Sequence, residues 1–467
     1  MKLELRQAAH WCGGELQGAG SESAGGERVT AGYSIDSRTI APGELFIAIK
    51  GERFDGHDFL ADAFARGAVG AIVARDKLAS AKKKSGANPL LVVDDTLKAL
   101  QRLASTARKH WGKRVIGITG SAGKTTTKEA VAKVLSAKYS VLKSQGNLNN
   151  GFGLPLQLLK LEPEHQIAVI EMGMSNAGEI TALAHIAAPD WGVVTNVGTA
   201  HAQNFADGVA GIARAKYELV EALPAHGVAF LNCDDHYVSQ FGRDFRGKAV
   251  YFGCGPCADP RAASIEPLGA AGQRVEVRAG EQQAEMTLKL LGRHNVANAM
   301  AAVAVGLQAG VSLEACCAAL AELEPEDKRG QVHTVGGATA INDCYNSNPE
   351  ALKAMIGTLA AMPVGEGGRR ILVAGAMLEL GAEAAALHAA CGKAAAKAGI
   401  DVVIGVSGDA HTLADAAQNA GAEALFFETP EQAGEWLRTA AKPGDVVLLK
   451  ASRGVRLERA LDAWRAS

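Results

Sequence analysis

The sequence predicts an α/β protein in which a central parallel-sheet domain lies between two further α/β domains. At 467 residues the chain is too long for one hydrophobic core. Short apolar runs alternate with helical patterns along its whole length, and a glycine-rich segment at 117–127 joins an apolar run to a helical pattern. We expect the domains to span residues 1–95, 96–326 and 327–467.

The first domain is predicted from strand-like segments that alternate with helical ones. A helical pattern over 59–66 leads into an apolar run at 70–73, and a second apolar run at 90–93 is expected to be its last strand. This alternation favours a small α/β domain.

The middle domain begins with a helical pattern over 97–111 and continues through the glycine-rich segment. Three later strands are expected at 167–171, 192–196 and 228–232. Each is short and apolar and ends in a polar residue, which is typical of buried parallel strands whose carboxyl ends line a ligand crevice.

The last domain repeats this rhythm with alanine-rich helical runs between strands. The expected strands are 338–342, 371–374, 402–406 and 446–449. Because it carries no phosphate loop of its own, it is predicted to be a second α/β domain that faces a nucleotide or a substrate.

The composition is that of an ordinary globular protein, with 48% hydrophobic and 21% charged residues and a net charge of −2. No broad basic surface indicates nucleic acid. No apolar run approaches the roughly 18 residues that a membrane span needs, and the N-terminal segment has no apolar core of a secretory signal. We expect a cytoplasmic monomer with neither nucleic-acid nor membrane partners.

The eight cysteines form no obvious framework, so we expect them to be reduced. Cys254-Gly-Pro-Cys257 has the spacing of a thioredoxin-type redox motif. The following Pro260 opposes a helix start at the second cysteine, and no second cysteine pair completes a zinc site. The segment is therefore predicted to be a loop with two incidental thiols.

The segment from Gly120 to Thr126 is predicted to bind the phosphates of a nucleoside triphosphate. Glycines let backbone N–H groups crowd around phosphate oxygens, and the helix N-terminus adds a favourable dipole. Lys124 supplies a point charge and the Thr125 hydroxyl can hold Mg²⁺. Ile118 stands where the strict motif has glycine, and the alternative is a tight turn that happens to carry Gly-Lys. The predicted loop residues are Gly120, Ser121, Ala122, Gly123, Lys124, Thr125 and Thr126.

Several motifs in order give the chain a resemblance to the Mur ligases. The phosphate loop is followed by Glu171 at a strand end, by Thr195-Asn-Val-Gly-Thr-Ala-His201, by Ala215-Lys-Tyr-Glu218 and by Gly292-Arg-His-Asn-Val-Ala-Asn298. The resemblance extends over all three predicted domains. It implies an N-terminal domain that binds a UDP-muramoyl-peptide, a central ATP-binding domain and a C-terminal Rossmann-like domain.

Within that family the chain is most similar to the branch that joins D-alanyl-D-alanine to UDP-N-acetylmuramoyl-tripeptide. The segment Asn346-Ser-Asn348-Pro349 fits this branch, and the Asp-Asn-Pro-Arg or Asp-Asp-Pro-Arg segment of the diaminopimelate- or lysine-adding branch is not in the sequence. The resemblance places Ser37 and Arg38 at the uridine diphosphate end. It adds these substrate-binding candidates: Asn147, Asn149, Asn150, Tyr345, Asn346 and Asn348.

Amide formation from a carboxylate needs activation, which ATP supplies as an acyl phosphate, and both steps need concentrated positive charge. Glu171 is a sensible hard-oxygen ligand for the Mg²⁺ held by Thr125, although a strand-end Glu can also be a solvated cap. The resemblance implies a second Mg²⁺ near His201. It further implies that Lys216 is carbamylated, which gives it an anionic oxygen, so Lys124, Lys216 and His201 are the catalytic candidates.

The remaining nucleotide contacts are expected from two domains. Amide side chains suit a base edge, so Asn295 and Asn298 are candidates for the adenine or phosphate side. The resemblance implies that Arg329 reaches the phosphates and Asp343 the ribose. The third domain must then close on ATP held by the second.

Three other readings remain open on the sequence. One is another ligase of the superfamily, either an amino-acid-adding enzyme or a folylpolyglutamate synthase, and the expected UDP-binding domain disfavours the synthase. A GTPase-type switch protein would need an Asn-Lys-x-Asp segment, and the sequence has none. A non-catalytic scaffold is disfavoured by the intact Lys124, Glu171, His201 and Lys216.

Overall fold

The computed structural model of the protein describes residues 1–18, 26–199 and 202–466. In this part of the chain three mostly parallel sheets follow one another, and a small antiparallel sheet is inserted after the second. The α/β class predicted from the sequence is confirmed. The predicted strands at 70–73, 90–93 and 167–171 all lie in these sheets.

The N-terminal sheet has the order β1-β5-β4-β3-β2 over the described residues, with β1 antiparallel to β5 and the other pairs parallel. Every side chain of the last strand is buried, which explains its unbroken apolar run. The strands are β1 (Glu15–Gln17), β2 (Gly32–Ser34), β3 (Glu44–Ile47), β4 (Gly70–Ala74) and β5 (Leu90–Val93). The helices are α1 (Leu5–Cys12), α2 (Leu60–Ala65) and α3 (Leu78–Ser85).

Helix α4 (Thr96–Trp111) connects the N-terminal sheet to the central one. The Asp95 carboxylate accepts hydrogen bonds from the first turn of the helix, and Gly112, at φ +68°, ends it. Leu100 and Leu103 belong to the apolar cluster that also contains core residues of both sheets. The N-terminal and central sheets therefore share one continuous hydrophobic core.

The central sheet has the order β11-β10-β9-β6-β8-β7, and all its pairings within the described chain are parallel. Because β6 lies between β8 and β9, the loop after β6 opens at the point where the strand order reverses. Its strands are β6 (Arg114–Thr119), β7 (Val141–Lys143), β8 (Ile167–Glu171), β9 (Trp191–Val194), β10 (Val228–Asn232) and β11 (Lys248–Phe252). The helices in this stretch are α5 (Lys124–Leu135), α6 (Gly153–Leu158), α7 (Glu179–Ala187) and α8 (Val209–Glu221).

An antiparallel sheet follows that the sequence analysis did not predict. Buried residues such as Val275 and Val277 alternate with more exposed ones. The strands therefore lack the continuous apolar runs by which the other strands were located. It consists of β12 (Arg261–Pro267), β13 (Gln273–Ala279) and β14 (Gln282–Leu288). Helices α9 (Arg293–Gln308) and α10 (Leu313–Ala321) complete this part of the chain.

The C-terminal sheet has the order β15-β16-β20-β17-β18-β19 in the described residues, and only its edge strand β15 is antiparallel. Its strands are β15 (Gln331–Val335), β16 (Ala338–Asp343), β17 (Arg370–Gly375), β18 (Val402–Val406), β19 (Glu423–Phe427) and β20 (Val446–Lys450). Its helices are α11 (Pro349–Ala361), α12 (Ala384–Lys397), α13 (Ala410–Asn419), α14 (Pro430–Ala440) and α15 (Glu458–Arg465). Within the described ranges, no helix is both long enough and apolar enough to cross a bilayer.

Candidate functional site

The predicted phosphate loop connects β6 to α5 at the carboxyl end of the central sheet. Gly120 has φ +154° and Gly123 has φ +78°, so the backbone turns sharply at both glycines before the helix begins at Lys124. The first N–H groups of α5 therefore point into the crevice beside the loop. This is the geometry that binds phosphate oxygens.

Lys124 lies over this loop. Its ammonium donates a hydrogen bond to the Gly120 carbonyl at 2.7 Å. Burial lowers the pKa of Lys124, Glu171 counteracts the shift, and the charge of Arg329 adds to it. The amine is thus within electrostatic reach of both groups that the sequence analysis assigned to the same site.

The segment after β9 holds the phosphate loop through hydrogen bonds, a role that was not predicted from the sequence. The Thr195 hydroxyl donates to the Ala122 carbonyl at 2.6 Å, and the Asn196 side-chain oxygen accepts from the Ala122 N–H at 2.8 Å. The Ser121 N–H donates to the Asn196 carbonyl at 3.0 Å. The position of these residues directly after β9, the neighbour of β6, was the signal that could have identified them.

Glu171 ends β8, the neighbour of β6 on the other side, and is 3% exposed. Asn149 donates to its Oε1 at 2.8 Å, whereas its Oε2 is buried without a hydrogen-bond partner among the described residues. A buried carboxylate oxygen without a donor is costly unless a cation meets it. The site therefore fits a hard cation beside Glu171 and Thr125.

Lys216 lies on α8 and is 3% exposed. Burial lowers its pKa well below the usual value, the charge of Lys124 adds to the shift, and no acidic group in the described chain opposes it. Glu218, two residues on, instead caps α7 through the Gly178 and Thr181 N–H groups. His201, the other catalytic candidate of this region, lies outside the described residues.

The C-terminal sheet contributes to the same crevice. Arg329 donates to the Thr125 hydroxyl at 3.2 Å, and its guanidinium lies 3.8 Å from the centre of the Tyr345 ring. Asp343 pairs with Lys450 at 2.6 Å, and Lys450 also donates to the Asn346 carbonyl at 2.9 Å. Residues from the second and third predicted domains thus meet at the phosphate loop.

The two asparagines of α9 differ in position. Asn298 is 5% exposed, donates to the Asn295 side-chain oxygen and accepts from the Thr127 hydroxyl. Asn298 thus lies against the buried side of α5, which is a supporting position for the loop. Asn295 is less buried and lines a small cleft with Thr126 and Arg329.

The predicted substrate residues fall into three groups. In the N-terminal sheet region, Ser37 is buried, while the exposed Arg38 guanidinium folds back on the Asp36 carboxylate. The second group lies before α6: Asn149 contacts Glu171, Asn150 accepts from the Gly153 N–H, and Asn147 is exposed. The third group lies between β16 and α11 and comprises Tyr345, Asn346 and Asn348.

Asn348 has a structural contact of its own, because its side chain caps α11 through the Ala351 N–H. A further contact between the middle and last parts of the chain was not predicted: Thr199 donates to the Glu350 carboxylate at 2.9 Å.

The expectation that all cysteines are reduced is wrong in one place. Cys257 forms a disulfide with Cys233, while Cys254 is a free thiol. The C-x-x-C spacing is therefore not a redox pair in itself. Cys233 was not predicted as the partner because it lies one strand earlier and becomes a neighbour of Cys257 only through the parallel pairing of β10 with β11.

Three sequence profiles match successive parts of the chain. "Mur ligase family, catalytic domain" matches residues 30–108, "Mur ligase middle domain" matches 118–306, and "Mur ligase, glutamate ligase domain" matches 328–453.

Known proteins match over nearly the whole length. The UDP-N-acetylmuramoyl-tripeptide–D-alanyl-D-alanine ligase of Escherichia coli K12 is 35% identical over 89% of this chain and 88% of its own. The protein of that name from Bacillus subtilis 168 is 35% identical over 92% of each chain. A crystal structure of MurF from Acinetobacter baumannii has a TM-score of 0.88 at 30% identity and covers 100% of this chain and 99% of its own. MurF ligase from Thermotoga maritima in complex with ADP has a TM-score of 0.81 at 30% identity and covers 93% of this chain and 97% of its own.

The phosphate loop, the converging charges around it and these matches define an ATP-dependent ligase that forms amide bonds. The three parallel sheets follow one another along the chain, and each of the three parts matches a Mur ligase profile. The chain belongs to the Mur ligase family.

Proposed function

We propose that the protein joins D-alanyl-D-alanine to UDP-N-acetylmuramoyl-tripeptide at the expense of ATP, in peptidoglycan precursor synthesis. The observation that carries the proposal is the 35% identity to enzymes named for this reaction over about nine-tenths of both chains. A carboxylate oxygen of the tripeptide attacks the γ-phosphorus, and ADP leaves. The dipeptide amine then attacks the acyl carbon and gives up one proton, and phosphate leaves with the electrons of the broken C–O bond.

The chain's own part in the first step is to hold the triphosphate and spread its charge. The N–H groups from Gly120 to Thr126 bind phosphate oxygens, and Lys124 moves from the Gly120 carbonyl to the transferring phosphate. Arg329, in the segment before β15, adds a second cation. Asn295 lies at the adenine side and Asp343, positioned by Lys450, at the ribose.

Mg²⁺ is the ion that the oxygens around the loop suit. Thr125 and Glu171 would hold it, since the Glu171 Oε2 is buried and has no donor in the described chain. When bound, the ion neutralises negative charge on the phosphates. Asn149 keeps the carboxylate in this orientation through its 2.8 Å hydrogen bond.

A second ion would use Lys216 as its carbamate, together with His201. The neutral amine adds to CO₂, which forms an N–C bond and releases one proton, and the product carries an anionic carboxylate. Burial supports this proposal because it lowers the pKa of Lys216 and so raises the fraction of neutral amine. The carbamate would also remove the repulsion between Lys216 and Lys124.

The substrate's far end is assigned to the N-terminal sheet, with Ser37 and Arg38 at the uridine diphosphate. Asn147, Asn149 and Asn150 would lie along the peptide, and Tyr345, Asn346 and Asn348 near the incoming dipeptide. We propose the domain limits 1–95, 96–326 and 327–467, each of which encloses one of the parallel sheets. A cytoplasmic monomer remains our proposal for location and assembly.

The test is phosphate release with one amine at a time. The protein is incubated with ATP, Mg²⁺ and UDP-N-acetylmuramoyl-tripeptide, and D-alanyl-D-alanine is compared with D-alanine, D-glutamate and diaminopimelate. Fast release should require the dipeptide, and parallel reactions with the diaminopimelate and lysine tripeptides identify the accepted third residue. Faster turnover with a single amino acid would contradict the assignment and favour an amino-acid-adding ligase.

A further inference from the structure

Two cysteines and one aspartate come together at the carboxyl ends of β10 and β11, and a third cysteine lies in the same loop. Cys233 and Asp234 directly follow β10, and Cys254 and Cys257 follow β11. The two strands are parallel neighbours, with Asn232 paired to Phe252, so both loops leave the sheet at the same edge. This cluster lies outside the nucleotide site and no step of the proposed reaction uses it.

The Asp234 carboxylate organises the cluster. Its two oxygens accept hydrogen bonds from the Cys254 N–H at 2.6 Å and the Gly255 N–H at 2.8 Å, which turns the loop after β11 back toward β10. A carboxylate oxygen of Asp234 and the sulfurs of Cys233 and Cys257 all lie within 4.8 Å of one another. In the described part of the chain no other group of this kind contains three potential metal ligands so close together.

Two thiolates and one carboxylate are a ligand set for zinc-class cations. Thiolates favour Zn²⁺ and similar borderline ions over Mg²⁺ or Ca²⁺, and aspartate oxygen is a common partner in tetrahedral sites. Asp234 and Cys257 are exposed, so a cation can reach the cluster from solvent, while Cys233 is buried and anchors it to the sheet. A fourth position remains for water.

We propose that the reduced chain binds one zinc-class divalent cation through Cys233, Cys257 and Asp234, and that the Cys233–Cys257 disulfide is the oxidised form of the same site. In a reducing compartment, closely spaced cysteines of an enzyme serve metal binding more often than permanent cross-linking. The two forms are mutually exclusive because the bonded sulfurs are no longer thiolates.

The conversion between the two forms balances with a disulfide reagent as oxidant. The two cysteine thiols give up two electrons and form one S–S bond, the reagent's S–S bond breaks, and the protons go to the two thiols released from the reagent. Any bound cation leaves with the loss of its thiolate ligands. Reduction by a dithiol reverses each of these changes.

The cluster borders a segment that supports the phosphate loop. Asn232, next to Cys233, donates to the Thr195 carbonyl at 2.8 Å, and the Asp235 carboxylate accepts from the Val197 N–H at 2.9 Å. Thr195 in turn donates to the Ala122 carbonyl. The residues on either side of Cys233 and Asp234 therefore hold the segment that supports the phosphate loop.

The experiment uses the full-length chain reduced with a phosphine and titrated with Co²⁺, whose thiolate complexes absorb strongly in the near ultraviolet. We expect one equivalent to give this absorbance and Zn²⁺ to displace it. Mg²⁺-type oxygen sites give no such band, so the nucleotide site does not interfere.

The variants Cys257→Ser and Asp234→Asn change exposed side chains and should each weaken Co²⁺ binding by at least about 10-fold. Cys233→Ser should abolish the band, and Cys12→Ser, which removes a buried thiol in the N-terminal sheet region, should keep it. Protein oxidised with a disulfide reagent should bind none. The proposal is overturned if the reduced protein shows no thiolate band, if the oxidised protein shows one, or if Cys257→Ser binds Co²⁺ as tightly as the wild type.

Discussion

At the scale of single residues, the burial of Lys216 next to another cation is most simply explained by a chemical modification of its amine. It is 3% exposed on α8, beside the cationic Lys124, and no acidic group of the described chain opposes the lowering of its pKa. A buried cation of this kind is expensive to maintain. Conversion to a carbamate would turn the repulsion into attraction and provide an oxygen ligand.

The first prediction is that Lys216→Ala lowers the rate of phosphate release at least about 100-fold, the effect of removing one transition-state charge contact. Acetate or formate should restore part of the activity by occupying the vacated volume. Lys133→Ala on α5, whose side chain pairs with Glu322 on the surface, is the control and should remain fully active. Activity of Lys216→Ala near the wild-type rate would rule out the carbamate.

His294 gives a prediction about pH and stability. Burial lowers its pKa from 6.5 to about 4, the charge of Lys450 acts in the same direction, and Asp343 opposes both. The unfolded chain takes up this proton near pH 6.5 while the folded chain excludes it down to about pH 4, so the unfolded state binds more protons in between. The stability contributed by neutral His294 is therefore complete above pH 6.5 and falls as the pH drops toward 4.

Urea unfolding at pH 7 and pH 5 checks this. The wild type should lose more unfolding free energy between the two values than His294→Gln does, by on the order of 1 to 2 kcal/mol. His226→Gln, at an exposed position, should lose as much as the wild type. An equal loss in wild type and His294→Gln would show that this proton does not couple to folding.

At the scale of elements, two helices offer a matched pair of N-terminal glycines. Gly123 precedes α5 with φ +78°, and Gly178 precedes α7 with φ +82°. A Cβ on Gly123 would lie 2.6 Å from the Asn298 side-chain oxygen, whereas a Cβ on Gly178 would meet no atom within 4 Å. The backbone strain of an alanine is thus the same at both sites, and only one site adds a clash.

Gly178→Ala should cost only the left-handed strain, on the order of 1 kcal/mol, and leave ADP binding unchanged. Gly123→Ala should displace Asn298 or the loop and weaken ADP binding at least about 10-fold, because the phosphate-binding N–H groups shift. Calorimetric titration with ADP measures the affinity of both variants and tests this difference. Equal ADP affinities would mean that the loop does not bind the phosphates as described.

The elements also show what the sequence could and could not predict. Continuous apolar runs such as Leu90–Val93 and Val402–Val406 are strands buried on both faces, and the sequence located them well. Edge strands such as β19 (Glu423–Phe427) were not predicted, because their side chains are partly exposed and the continuous apolar run is lost. The pairing of Cys233 with Cys257 was missed because it depends on strand order, which residue spacing does not contain.

At the scale of the whole molecule, the site depends on three parts of the chain that are far apart in sequence. Arg329 contacts Thr125, and Thr199 contacts Glu350, so the C-terminal part of the chain meets the central part at two places near the crevice. The motifs identified the family, and residues from several of them meet at the crevice. They did not distinguish a support such as Asn298 from a ligand contact, because that difference is one of burial in the folded chain.

The central claim is that these parts make one active site that activates a tripeptide carboxylate and transfers it to D-alanyl-D-alanine. The most direct measurement labels that carboxylate with ¹⁸O and analyses both products by mass spectrometry. The account predicts a product heavier by the dipeptide less water and one ¹⁸O atom in each released phosphate. Phosphate without ¹⁸O, or release of phosphate without a dipeptide adduct, would contradict it.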